Sequence, residues 1–147
     1  GPESIWDTVK LLQVDRIGHG TSAILDKGLM RHIRDHQIPL EICPTSNLYT
    51  RKYATTLKDH PIRPFFDFGL FVTVNTDDPT LFGVSLFEEY ERLLEAEVFS
   101  LPEIVQIIRN GIFATFLSEA EKKKLWTEAQ KFIKGSPYAE LLSDISG

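Results

Sequence analysis

Three short apolar runs, each closing on a polar turn sequence, constrain the fold of this chain more than any other feature. Leu70 to Val74 is apolar or β-branched, too short for a helix and bounded by Gly69 and Pro79, so it reads as a buried strand. It exits through Asn75-Thr76-Asp77-Asp78-Pro79. Asp15 to Gly20 is a second strand, punctuated by Gly18 and Gly20, with His19 at its end. Ile38 to Cys43 is another, leaving through the polar loop Pro44-Thr45-Ser46-Asn47. Helical patterns separate these strands, and that alternation is the rhythm of a parallel sheet. In parallel α/β folds the strand C-termini form the functional face, so the polar exits belong together.

A parallel sheet needs both faces covered, and a closed (β/α)8 barrel takes roughly 250 residues. With 147 residues, the chain is expected to be α/β, holding about three parallel strands plus helices from the C-terminal part of a (β/α)8 TIM barrel. Residues 1–147 then form the C-terminal portion of a single barrel domain, with terminal helices from about residue 101.

The helices are read from periodicity and caps. Ser4 is expected to cap a short helix carrying Ile5, Trp6, Val9, Leu11 and Leu12, with Asp7 in a near capping box. From Ile24 to His36, apolar Leu25, Leu29, Met30 and Ile33 recur at helical spacing. Pro61 and Pro64 break any long helix over residues 55–68. Leu86 to Val98 is amphipathic. Ser100-Leu101-Pro102-Glu103 is a capping box that opens a helix expected to bury Ile104, Val105, Ile107, Ile108 and Phe113. Ser118-Glu119-Ala120-Glu121 opens another, followed by Leu125, Trp126, Ala129, Phe132 and Ile133. The run Lys122 to Lys124 reads as its solvated face. Gly1-Pro2 reads as a scar of proteolytic processing and carries no expectation about the fold.

Composition removes several classes of partner. A net charge of -5 and no basic stripe argue against nucleic acid. The single cysteine, Cys43, excludes an intrachain disulfide and every multi-cysteine zinc motif, and points to a cytoplasmic setting. No stretch approaches the roughly 18 apolar residues of a membrane span.

Asp77 and Asp78 carry the chemistry. Two ionised carboxylates side by side at a strand end repel each other, which is tolerable where a cation or a shared proton sits between them. Asp-Asp-Pro is also ordinary turn chemistry, and on that tripeptide alone the turn is favoured. His19 on the same face changes the balance, because a histidine with two aspartates can hold a divalent metal and exchange protons. His32 and His36 lack the glutamate of a His-Glu-x-x-His motif and read as surface histidines. His60 reads as a loop or capping residue, and Cys43 as a small buried hydrophobe.

Arg16-Ile17-Gly18-His19-Gly20, Cys43-Pro44-Thr45-Ser46-Asn47 and Asn75-Thr76-Asp77-Asp78-Pro79, in this order and at these separations, resemble the adenosine deaminase family. With Gly1-Pro2-Glu3-Ser4 leading in and Leu81-Phe82-Gly83 following, the resemblance covers essentially the whole chain. It implies a zinc-dependent barrel that hydrolyses the 6-amino group of a purine nucleoside such as adenosine, giving the 6-oxo compound and ammonia. By that likeness Asp77 is a metal ligand and His19 orients the zinc-bound hydroxide. Asp78 contacts N7 of the purine and helps place the attacking group, with Gly18, Ser46 and Asn47 at the rim of the substrate site.

The family's His-x-His ligands, its other histidine ligand and its proton-shuttling glutamate have no counterpart in these residues. The expectation is therefore that the 147 residues alone are inactive and that the missing N-terminal barrel portion is their partner. The competing expectation is a non-catalytic half-barrel for assembly or ligand binding, whose open sheet edge seeks a partner. A magnesium phosphohydrolase ranks last, since no Gly-rich phosphate loop flanks Asp77.

Overall fold

The computed structural model describes residues 1–143. The helices are α1 (Pro2–Leu11), α2 (Lys27–Asp35), α3 (Pro44–Thr50), α4 (Ile62–Asp67), α5 (Pro79–Phe82), α6 (Leu86–Glu95), α7 (Leu101–Phe113) and α8 (Glu119–Lys134). The strands are β1 (Ile17–Gly18), β2 (Leu40–Ile42) and β3 (Val72–Val74), with 3-10 turns at Thr21–Leu25 and Ala139–Leu142. The strands form one parallel sheet in the order β1-β2-β3, and β1 lies level with Leu40, which lies level with Val72. The expected strands are all present.

Period-two alternation divides the sheet into two faces. Ile17, Leu40, Ile42, Val72 and Val74 are buried in one core with Leu29 and Ile33 of α2, Phe65 of α4, Leu93 of α6 and Ile107 of α7. The other face carries Gly18, Glu41 and Thr73, and there Arg16 Nη1 meets Glu41 Oε1 at 2.8 Å. One face is therefore dry and the other polar, so the helices lie on one side and the site can open on the other.

Several expectations need correction. Pro44-Thr45-Ser46-Asn47 is not a loop but the start of α3, because proline at the first helical position costs no hydrogen bond. For the same reason α1 begins at Pro2, and Ser4 lies inside it, with its carbonyl accepting from Thr8 Oγ1 rather than capping anything. α2 begins at Lys27, where the Asp26 carboxylate caps Gly28 and Leu29, and Leu25 before it stays exposed. α6 stops at Glu95, since Glu97 turns left-handed with φ 55° before Val98 is buried. α7 buries Ile104, Val105 and Ile107 but leaves Ile108 exposed, one residue round the helix from the sheet. α8 buries only Trp126 and exposes Leu125 and Phe132. Lys123 and Lys124 are solvated, whereas Lys122 is largely covered and pairs with Glu119 at 2.9 Å. The capping boxes at Ser85 and Ser118 close with both bonds present, and at Ser100 the Glu103 carboxylate accepts from the Ser100 N–H at 2.8 Å.

Candidate functional site

Each strand delivers one chemically useful side chain at its C-terminal end. β1 runs into His19, whose backbone N–H bonds Glu41 O at 2.9 Å. β2 runs into Cys43 and then directly into α3. β3 runs into Asn75, whose N–H bonds Ile42 O at 2.8 Å, and two residues later into Asp77. His19 and Asp77 both turn left-handed, with φ of 56° and 62°. A non-glycine residue there costs on the order of 1 kcal/mol and persists only where the surroundings impose it. Both backbones therefore bend inward at the same level of the sheet.

The bends bring the sequence motifs together. His19 Nε2 lies 3.7 Å from Asp77 Oδ2, and Ser46 Oγ donates to the same carboxylate oxygen at 2.6 Å. Asn47 Nδ2 lies 3.0 Å from His19 Nδ1. Ser46 and Asn47 occupy the first turns of α3, so the helix that was expected to be a loop is what aims them. Gly18, His19 and Asp77 stand between two open cavities of about 400 and 500 Å3. Glu41, Asn75 and Leu86 help line the first, and Ser46, Asn47 and Tyr53 the second.

Asp78 is placed differently from its neighbour. Its carboxylate caps α5, accepting from Leu81 N at 2.9 Å, and the residue is exposed. The turn chemistry of Asp-Asp-Pro is thus real for Asp78, while Asp77 faces the cluster.

Cys43 is the residue that sequence reasoning passed over. Donor atoms of His19, Cys43 and Asp77 all lie within 4.8 Å of one another, a nitrogen, sulfur and oxygen set of the kind zinc accepts. Its position as the last residue before the exit of β2 was the available signal. Burial, followed by the nearby Asp77 charge, pushes the Cys43 thiol up to about 12, so the buried-hydrophobe reading describes it well in the absence of a metal.

Two buried polar residues support the cluster from behind. His60 is fully buried, its Nδ1 accepts from Ile62 N at 3.0 Å at the start of α4, and its Nε2 lies 3.3 Å from Asn47 Oδ1. The capping role expected of it holds, but it is not on the surface. Glu89 of α6 is also fully buried, and Thr45 N donates to both of its oxygens at 3.3 Å. Burial raises its pKa, opposed by the bonds from Thr45. Arg92 Nη1 donates to Thr45 Oγ1 at 3.0 Å, so two residues of α6 fix the first turn of α3. His32 and His36 stack on each other at 4.1 Å, away from this cluster.

Comparison with known proteins places these features in a family. The family model described as adenosine deaminase matches residues 1–132. That match starts at Gly1 and so takes in Gly1-Pro2. The chain is 41% identical over 134 residues to the aminodeoxyfutalosine deaminase of Streptomyces avermitilis, covering 90% of this chain and 37% of that protein. It is 42% identical over 135 residues to the adenosine deaminase of Klebsiella pneumoniae, covering 92% and 39%. Among solved structures, the adenine deaminase of Arthrobacter aurescens superposes with a TM-score of 0.85 at 34% identity, over 90% of this chain and 40% of that one. An amidohydrolase from Burkholderia ambifaria with bound Zn does so with a TM-score of 0.78 at 26% identity, over 97% and 38%. The chain thus spans less than half the length of the relatives it matches.

Proposed function

Since the chain belongs to the adenosine deaminase family, we propose that it supplies part of the site of a zinc-dependent hydrolase that deaminates a 6-aminopurine nucleoside. The observation that carries this reading is the convergence of His19, Ser46 and Asp77 at the C-terminal edge of a parallel sheet. The sheet and its helices are part of the deaminase barrel fold, to which the Arthrobacter structure is similar.

The donor set fits zinc, with Asp77 as the ligand. Cys43 lies beside it with its thiol buried. The remaining ligands and the proton-shuttling acid come from strands that complete the barrel. The chemistry a bound zinc supplies is acidification of water, whose pKa it brings to about 7.

The side chains of this chain then divide the work. Ser46 holds the Asp77 carboxylate, which would ligate the metal, in one orientation. His19, tied at Nδ1 by Asn47, presents Nε2 to the point where the attacking water must sit, and orients it by hydrogen bonding. Water oxygen adds to C6 of the ring, one of its protons reaches N1 and the other the amino group, the C6–N bond breaks to release ammonia, and the 6-oxo purine remains. Asp78 gives up its cap on α5 to meet N7 of the ring, and Gly18 lets the base approach β1 without a side chain between them. Adenosine is the substrate this reading favours.

The test is loss of the adenine ultraviolet band with adenosine, adenine and aminodeoxyfutalosine, using zinc-loaded protein that carries this chain within its complete barrel. Turnover of adenosine above the others supports the reading. No turnover of any of them sinks it.

A second reading, a half-barrel that serves assembly or ligand binding, draws on the open sheet. Among the described residues β1 and β3 pair only with β2, and Leu81, Phe87 and Phe116 are exposed. A folded, zinc-free monomer of these residues would favour it.

A further inference from the structure

We propose that His60, which touches neither of the two cavities, is a positioning residue that fixes the tautomer of His19 through Asn47. This rests on the deaminase reading only in naming His19 as the working group. The hydrogen-bond chain itself is a property of the fold.

The chain has a fixed end. Ile62 N is a backbone amide and can only donate, so His60 Nδ1, 3.0 Å away, must be the acceptor nitrogen. A neutral imidazole with an acceptor at Nδ1 carries its proton on Nε2. His60 is fully buried and stays neutral, because desolvation holds its pKa well below the usual histidine value. Its Nε2–H therefore donates, and Asn47 must turn its carbonyl Oδ1 toward it, 3.3 Å away. The reverse amide orientation sets N–H against N–H. With Oδ1 taken by His60, Asn47 presents Nδ2–H to His19 Nδ1 at 3.0 Å, and that nitrogen must accept. The proton of neutral His19 is then on Nε2, the nitrogen 3.7 Å from Asp77 Oδ2.

Every link follows from donor and acceptor inventory once the backbone end is set. An isolated histidine exchanges between tautomers freely, His19 is half exposed, and the Asp77 carboxylate at 3.7 Å lies beyond hydrogen-bond distance of Nε2, so the bond from Asn47 is the contact that sets its proton. The His60 imidazole and the Asn47 amide provide that setting from 13 residues apart in the chain, across the gap between α3 and α4.

The experiment is long-range 15N correlation NMR of the histidine rings, in the same protein as used for turnover. His19 is expected to show an unprotonated Nδ1 and a protonated Nε2. In His60→Gln, whose amide keeps a donor for Asn47 Oδ1, that pattern is expected to persist. In His60→Phe it is expected to give way to a mixture. In Asn47→Asp, where a carboxylate faces Nδ1, the proton is expected to move to Nδ1. A wild-type His19 protonated at Nδ1 overturns the inference, as does an unchanged pattern in folded Asn47→Asp. If His60→Phe fails to fold, the Gln and Asp variants decide. Because the readout is a nitrogen shift, protein that shows the pattern but deaminates nothing defeats the deaminase reading and leaves this inference standing.

Discussion

Ser46 Oγ donates a 2.6 Å hydrogen bond to Asp77 Oδ2 across 31 residues of sequence, a gap closed only by the pairing of β2 with β3. It joins the first turn of a helix to a left-handed aspartate and holds the carboxylate in one orientation. Groups that orient a metal-binding carboxylate typically contribute 10–100-fold to affinity, as a rough guide. Ser46→Ala is therefore expected to weaken zinc binding by about 10-fold or more, as read by competition with a chromophoric chelator. An affinity unchanged in the variant contradicts the assigned role.

His60 makes stability depend on pH. Its folded pKa is lowered to about 4 by burial, with the Asp59 charge opposing, against an unfolded value near 6.5. Between these values the unfolded chain binds the extra proton, so stability falls as pH drops from about 6.5 to about 4 and levels off below. The full effect is on the order of 3 kcal/mol. Urea unfolding across that window should show this slope in the wild type and lose it in His60→Gln. Equal slopes would place the acid sensitivity elsewhere.

Glu89 anchors the helix that carries Ser46 and Asn47. Glu89→Ala leaves Thr45 N buried without its acceptor and is expected to cost about 1–3 kcal/mol. Glu89→Gln keeps an acceptor and should cost clearly less. Thermal unfolding of the pair separates the two. Equal losses would mean that the volume of the side chain matters, not its bonds to Thr45.

Asp78 serves a cap and, in the proposed reaction, the substrate. Asp78→Asn keeps a capping oxygen for Leu81 N and should leave the melting temperature nearly unchanged. Asp78→Ala should lose about 1 kcal/mol of stability. Both are expected to lower turnover by at least about 100-fold, a loss of roughly 3 kcal/mol in transition-state binding. Turnover that falls only with stability would reduce Asp78 to a cap.

The strands and their exits were legible because burial and turn chemistry leave local marks: β-branched runs, then Gly18-His19-Gly20 or Asp77-Asp78-Pro79. α3 was not, because Pro44 marks a break and a helix start equally well, and only Glu89, far along the chain, tips the balance by capping Thr45. His60 behind Asn47 depends on which loops meet in space, and no local pattern encodes that. The motifs located His19 and Asp77, while the residues that orient them came from the packing of α3 against α4 and α6.

The central claim is that Asp77 holds a metal on which deamination depends. The most direct measurement compares zinc content and adenosine turnover in protein that carries this chain within its complete barrel, as wild type and as Asp77→Ala, with folding checked by circular dichroism. The expected result is one zinc and turnover in the wild type, with both lost in the folded variant. An Asp77→Ala protein that keeps its zinc and its turnover would contradict the account.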